Sequence, residues 1–318
     1  MIIGDKREEV IENIRKKAKA GDFNSKVEVD DPVITEEERA ALVARYLERR
    51  PSDGSPTVQY RLKRRVARGI ANVATSMVNA KTPIIGIEKA QAIDGGALVT
   101  SNHFSPIDNT VVRKMAKAAG RNRLPIVIDE DNLAMDGAFG FLMNYADTIP
   151  LYKERHYLMN DFVPLLRSET DKGNFVLIYP EQEMWFNYRK PRPGKRGAYY
   201  YAIQLGVPIL PCFVEIRDLE DLERPNFVEV SYVMHVLDPI YPDPDLTERE
   251  NSIAMYEKDY AQKVAAYEEA YGRKLDYRFE IEDIAGWVPT EKERAALKAR
   301  EALEALEEKE AKKVCVTV

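Results

Sequence analysis

Very little in this chain can be cross-linked. Only two of its 318 residues are cysteines, Cys212 and Cys315, far apart and the second almost at the C-terminus. Neither a disulfide framework nor a zinc pattern can be built from them, so a reducing compartment is expected. Histidine is nearly as scarce, with three, so imidazole chemistry must come from His103, His156 or His235. No apolar run approaches the ~20 residues that cross a bilayer. The start, Met1-Ile2-Ile3-Gly4-Asp5-Lys6-Arg7, runs straight into charge and does not read as a signal peptide. If the protein meets a membrane, it meets it from one side. Positive charge is not in excess either: 47 Lys and Arg face 53 Asp and Glu, a net charge of -6, which argues against a general nucleic-acid binder. There is no internal repeat, and low complexity is confined to an Ala/Glu/Lys-rich tail.

What is present is an alternation of short apolar runs and helical patterns, beginning after Ile84. Strands are expected at Ala97–Thr100, Leu124–Asp129, Thr148–Leu151, Asn174–Tyr179, Pro208–Ile216 and Phe227–Val236. Helical patterns separate most of them, at 152–167 and Lys195–Leu205 among others. The expectation is an α/β fold: a largely parallel or mixed central sheet flanked by helices, with helical additions at both ends. Three regions follow: a helical extension over 1–55, an α/β domain over 56–240, and a helical extension over 241–318. Turn chemistry at Arg49–Pro56 and at Tyr241–Asp245 marks the two boundaries. Thr35, Thr247 and Thr290 stand at helix starts, and the Thr35 and Thr290 segments have the form of capping boxes. Thr57–Asn79 is amphipathic, with Leu62, Val66, Ile70, Val73 and Met77 at helical spacing and Arg61, Lys63, Arg64, Arg65 and Arg68 in its first half. Its apolar face is expected to dock on the core, although such a helix can also lie in a lipid interface.

The chemistry concentrates in Asn102-His103-Phe104-Ser105-Pro106-Ile107-Asp108, which follows the Ala97–Thr100 strand. Ser105 reads as an N-cap, with Pro106 at the first helical position and Asp108 at the third. His103 therefore leaves a strand just before a helix, at the sheet edge where α/β proteins bind ligands. A neutral imidazole can accept a proton from a hydroxyl, and a carboxylate on its other nitrogen fixes the tautomer. The same spacing also fits a plain capping arrangement with a buried structural histidine. His156, in a charged helix start, is expected to be exposed, and His235, in a strand near Asp238, to be structural. No close set of side chains has metal-ligand spacing.

A second cluster follows the Asn174–Tyr179 strand. Pro180-Glu181 closes that strand, and a proline-interrupted basic loop carries Arg189, Lys190, Arg192, Lys195 and Arg196. Such a loop beside a helix start suits an anion such as phosphate, or is an ordinary solvated loop. Trp185, Phe186 and Tyr188 either shape a pocket or belong to the core.

Together these segments resemble the PlsC-like lysophospholipid/glycerolipid acyltransferases. His103 through Asp108 matches that family's His-x4-Asp block. Thr148-Ile149-Pro150-Leu151-Tyr152-Lys153 looks like the second block, with Lys153 where an arginine usually contacts the acceptor's phosphate. Tyr179-Pro180-Glu181 matches the opening of the third, and Gly206-Val207-Pro208-Ile209-Leu210-Pro211 matches the fourth. The third block normally continues Glu-Gly-Thr-Arg; here it reads Glu181-Gln182-Glu183-Met184. The resemblance spans Ile84 to Ile216. It implies a membrane-associated acyltransferase, peripheral on the cytoplasmic face, with acyl-CoA or acyl-carrier protein as co-substrate and no other cofactor. His103 would be the general base and Asp108 its orienter. Backbone N–H groups near Ser105 would serve the oxyanion, Glu181 would organise acceptor or loop, and Lys153, Arg189, Lys195 and Arg196 would hold an anionic head group. A lipid-binding protein that has kept the fold without activity, or a thioester hydrolase, remains open on the same residues.

Overall fold

Short strands that are mostly apolar need cover on both faces, and the chain supplies it with helices between nearly every pair. The computed structural model describes residues 6–29, 32, 34–49, 57–299 and 302–303. Most of the expected break at Arg49–Pro56, the end of the tail helix and Cys315 lie outside the described residues. In chain order come α1 (Arg7–Lys19), α2 (Glu36–Glu48), α3 (Val58–Val78), β1 (Ile84–Ile85), α4 (Ile87–Gln91), β2 (Ala97–Thr100), α5 (Asn109–Ala118), β3 (Ile126–Asp129) and α6 (Gly137–Tyr145). Then follow β4 (Thr148–Leu151), α7 (Arg155–Tyr157), α8 (Val163–Thr170), β5 (Phe175–Ile178), α9 (Gly197–Leu205), β6 (Ile209–Arg224), β7 (Phe227–Val236) and α10 (Glu248–Tyr271). A π-turn over Leu158–Phe162 joins α7 to α8, where Pro164 cannot donate to a regular helical ladder.

The seven strands form one mixed sheet in the order β1-β7-β6-β2-β5-β3-β4. The β6–β7 hairpin is antiparallel and the other neighbours are parallel. Strand β6 runs eight residues past the expected Ile216, because its polar second half pairs with β7 as an exposed arm beyond the core. The short edge strand β1 was not expected; it is only two residues long. Capping boxes form at Thr35 and Thr247, and the same reciprocal bonds join Thr290 and Glu293.

Strand alternation divides the core. Ala97, Val99, Phe175 and Leu177 pack against α4 and α5, while Leu98, Val176 and Ile178 pack against α8, α9 and α10. On the second side Asp259 of α10 is buried and accepts from the hydroxyls of Thr100 and Tyr199 and from the Lys263 ammonium. That polar cluster fixes α10 to the end of β2. Segments from both ends of the described chain also pack together, with α1 residues Val10, Ile11 and Ile14 against Trp185, Tyr188, Phe227 and Ile284.

The apolar face of α3 overturns its expectation. Val58, Leu62, Val66, Ile70, Val73 and Met77 are all exposed, at 47–75% of full accessibility, and the helix buries Tyr60, Ala67 and Thr75 instead. At about 100° per residue the six exposed side chains share an arc of roughly 120°. The helix docks by charge on its opposite side. Arg68 forks onto Asp147 at 2.6 and 2.7 Å, and Arg123 reaches the same carboxylate at 2.8 Å. Burial alone would raise the Asp147 pKa, but the Arg68 hydrogen bond and the Arg123 charge hold it down at about 2. A depressed carboxylate contributes stability above its unfolded value of 3.8 and loses it as pH falls through about 2. Asp147→Asn should therefore cost about 2 kcal/mol at pH 7, with the gap from wild type narrowing toward pH 2, as read by urea denaturation across pH.

Candidate active site

Strand β2 is flanked by β5 and β6, so the chain leaving it enters a crevice between two carboxyl-end loops. Asn102 fixes the exit: its side chain accepts from the Val214 N–H at 2.8 Å and donates to the Val214 carbonyl at 3.0 Å. His103 follows. Its Nδ1 lies 2.7 Å from Asp108 Oδ2, and the same oxygen accepts from the N–H groups of Phe104 and Ser105 at 2.9 and 3.2 Å. Asp108 Oδ1 accepts the Tyr179 hydroxyl at 2.6 Å, and the Tyr179 ring stacks on the imidazole, 3.9 Å between centroids and 14° from parallel. An ionised carboxylate only accepts, so Nδ1 carries the hydrogen and Nε2 presents its lone pair. Nε2 has no partner among the described residues, on a side chain 20% exposed. Turn-building and imidazole-holding, posed by the sequence as alternatives, are carried by one carboxylate.

The helix start differs from expectation. Residues 106–108 form a turn and the regular helix begins at Asn109, with Ser105 Oγ accepting from Ile107 N at 3.4 Å. The Ser105 N–H, expected as an open oxyanion donor, is already given to Asp108; the turn needs that bond to close.

Glu181 is buried directly beside this turn. Its Oε2 accepts from His103 N at 3.2 Å and pairs with the Arg192 guanidinium at 2.9 Å, while Oε1 accepts from Arg192 N at 2.9 Å. Arg192 itself is sealed. It lies over Trp185 and donates to the carbonyls of His103, Glu183 and Phe23. Gly194 lets the loop pass: a Cβ there would meet Pro180 Cβ at 2.6 Å. Gln182 occupies the left-handed region at φ 64, at the position where the resembling family carries glycine.

The basic residues separate into two groups. Arg189 departs from its expected role. It is buried, ion-paired with Asp218 and bonded to the carbonyls of Ile216 and Glu282, so its donors go to the fold. Lys190 is buried against Asp283. Lys195 and Arg196 are exposed at the start of α9, and Lys195 N bonds the Pro180 carbonyl at 2.7 Å, beside Glu181. Lys153 is exposed after β4, three places from β2 in the sheet, or about 14 Å at strand spacing. Burial, then the neighbouring Asp129, raises the Glu130 pKa to about 7, and the charge of Lys153 acts against that rise.

Trp185 and Tyr188 join α1 in the core and are buried. His156 is exposed; His235 pairs at 2.9 Å with Glu215, not with Asp238. Burial pushes the Cys212 thiol up to about 12, which leaves it inert. Among the described residues Asp129, Glu130 and Asp131 bring possible ligand atoms within 4.8 Å of one another, but Arg39 forks onto Asp131. Two residues escaped the sequence reading. The Tyr179 hydroxyl could have been noticed as an extra polar group ending an apolar strand. Arg192 carried no signal that set it apart from its basic neighbours.

The His–Asp pair thus stands at the carboxyl end of the central strand of a mixed sheet, with one ring nitrogen open. Residues 64–215 match the model of the family described as Acyltransferase. The domain carrying the site is thus an acyltransferase-family domain, and the match takes in all four blocks. No curated protein matches the chain. Among solved structures the chain is similar to the crystal structure of the 1-acyl-sn-glycerophosphate (LPA) acyltransferase, PlsC, from Thermotoga maritima. The identity is 16% and the TM-score 0.46, over 85% of this chain and 99% of that one.

A side chain in the left-handed region costs about 1 kcal/mol, part of which glycine returns as backbone entropy. Gln182→Gly should accordingly leave stability unchanged or raise it by up to about 0.5 kcal/mol. Chemical denaturation measures this, and a clear loss would show that Gln182 is held there by contacts.

Proposed function

We propose that this protein is an O-acyltransferase that moves a fatty acyl group from acyl-CoA or acyl-carrier protein to a hydroxyl of a lysophospholipid or glycerol-phosphate-type acceptor. The observation that carries the reading is the His103–Asp108 pair with Nε2 left open at the end of β2. In the proposed step Nε2 takes the hydroxyl proton as the oxygen attacks the thioester carbonyl. The carbon–sulfur bond then breaks, and the departing thiolate receives the proton back from the imidazolium. Asp108 holds the ring and offsets its transient charge. Oxygen, not a protein nucleophile, makes the new bond, so no acyl-enzyme forms and no cofactor beyond the donor takes part. Glu181 ties the loop to the His103 backbone. Lys153, Lys195 and Arg196 are the exposed cations left to hold an anionic head group.

His103→Ala, shown to be folded, should lower the rate by about two to four decades. The assay incubates pure protein with each donor against a panel of acceptors and identifies products by mass. An undiminished rate in the variant would overturn the base assignment. Thiol release that needs no acceptor would turn the reading toward a hydrolase, and no turnover with any pair toward a lipid-binding protein.

The same reading puts the protein on one side of a membrane, at its cytoplasmic face, where both donors are found. Among the described residues no helix is long and apolar enough to cross a membrane. The support for surface binding is α3, whose six apolar side chains face outward with Arg61 and Arg65 beside that arc and Lys63 on its other flank. Each apolar side chain fully transferred to lipid is worth about 1.5 kcal/mol or more, and each nearby cation about 1 kcal/mol on an anionic leaflet. Leu62→Glu with Val66→Glu should cut binding to vesicles containing anionic lipid by more than about tenfold with little change in melting temperature. Equal sedimentation of variant and wild type with such vesicles would remove α3 as the membrane face.

A further inference from the structure

Behind α3, at the end of the sheet opposite His103, positive charge outnumbers negative in a half-buried seam. Asp147 precedes β4 and Arg123 precedes β3, so both lie at the amino ends of these parallel strands, whereas His103 follows the carboxyl end of β2. Arg68 and Arg123 bond Asp147 directly, and Arg64 approaches it at 3.7 Å without a hydrogen bond. Glu169 adds a second carboxylate but is already shared by Arg123, Lys172 and Asn174. The fourth guanidinium belongs to Arg113, in the middle of α5. It is 94% buried by its 6% accessibility, and it makes no ion pair or side-chain hydrogen bond with any described residue. Its Nε is sealed from solvent with no acceptor. Asp147 is the carboxylate that acts on it most strongly, and Arg68 and Arg123 have already taken that group; Tyr179 acts on it from the other side. Burial depresses the Arg113 pKa, but a guanidinium stays protonated at neutral pH, so the group is a buried cation with no ion pair of its own.

A buried charge without a partner is among the costliest features a fold can keep. Where it occurs with other guanidiniums converging on the same place, the missing partner is an anion with several acceptor oxygens. We propose that Arg64, Arg68, Arg113 and Arg123 form an anion-binding site for a phosphate group, distinct from the exposed cations Lys153, Lys195 and Arg196 of the acyl-transfer reading. Arg64, with no hydrogen bond of its own, and Arg113 supply the free donors, while Arg68 and Arg123 are held in place by Asp147. The site adjoins the helix whose other side carries the exposed apolar stripe. Its phosphate can therefore come from a lipid head group reaching past α3 or from a free phosphate in solution.

Two probes separate these sources. In calorimetric and thermal-shift titrations with inorganic phosphate against chloride at matched ionic strength, wild type should bind and be stabilised. Arg113→Met and Arg64→Gln should each weaken that binding at least tenfold. Arg113→Met should also melt at or above the wild-type temperature in phosphate-free buffer, since it removes an uncompensated buried charge. Vesicles of phosphatidylcholine with and without phosphatidic acid form the second arm. A loss of phosphatidic-acid-dependent binding in both variants, without phosphate stabilisation of wild type, assigns the site to a lipid head group. Phosphate stabilisation lost in both variants, with vesicle binding intact, assigns it to the free anion. If neither variant changes either measurement, or if Arg113→Met unfolds the protein while Arg64→Gln binds both probes as wild type does, the site does not exist.

Discussion

One carboxylate holds the candidate site together. Asp108 accepts from the His103 imidazole, the Phe104 and Ser105 backbones and the Tyr179 hydroxyl, and so uses both oxygens. The two backbone bonds close the turn that starts α5, and the imidazole bond fixes which ring nitrogen faces outward. Local folding and ring orientation are therefore the same event. A histidine placed by a separate side chain could lose its orientation while the turn survived. Here neither can fail alone, because a charge-assisted acceptor saturated by several donors has no alternative arrangement of comparable energy. Tyr179 adds a second constraint by stacking on the ring it helps to orient, which links β5 to the loop after β2.

The surroundings of this turn are rigid for a related reason. Glu181 and Arg192 neutralise each other in a dry setting, and Arg192 spends its remaining donors on carbonyls from three segments, including Phe23 ahead of the sheet. Tyr277, from the C-terminal region, donates to the Pro191 carbonyl, and Asn187 exchanges bonds with Ala285. Regions that sequence patterning reads only as helical additions are thus the outer wall of the loop that carries Glu181 and Arg192. The third block can lose its usual glycine and arginine and still form, because the loop's shape is imposed by these contacts and by the absence of a side chain at Gly194, not by Gln182.

The sheet was legible because its signal is local. Four strands of four mostly apolar residues are marked as strands by their shortness and by the turns and helices that separate them, and the His–Asp spacing revealed the turn because both residues sit on one segment. What escaped depended on distant partners. The face that α3 buries cannot be inferred from its amphipathicity. The hydrophobic pattern pointed inward, yet the helix is anchored from its other side by Arg64 and Arg68 on a carboxylate about eighty residues away. Arg189 and Arg196 look equivalent in sequence; one is buried on Asp218 and the other is exposed because the chain turns outward between them. The Ser105 N–H was expected to be open because nothing in the sequence says that Asp108 serves three donors with one oxygen.

The placement of α3 has a consequence for how the two sides of the molecule relate. A helix held by hydrophobic packing would hide its apolar face and present its charges to water. Held instead by an ion cluster at Asp147, it must present the apolar face outward, and the exposed stripe follows from the clasp. Water tolerates that stripe poorly, so the arrangement persists only if the clasp is worth more than the burial it forgoes or if another phase covers the stripe. The crowded cations make the first alternative less sufficient, since half-buried guanidiniums around one carboxylate repel each other and buried Arg113 adds repulsion without a bond. Both tensions, an uncovered apolar arc and uncompensated positive charge directly beneath it, are relieved by the same kind of surroundings: an apolar layer bounded by anionic groups.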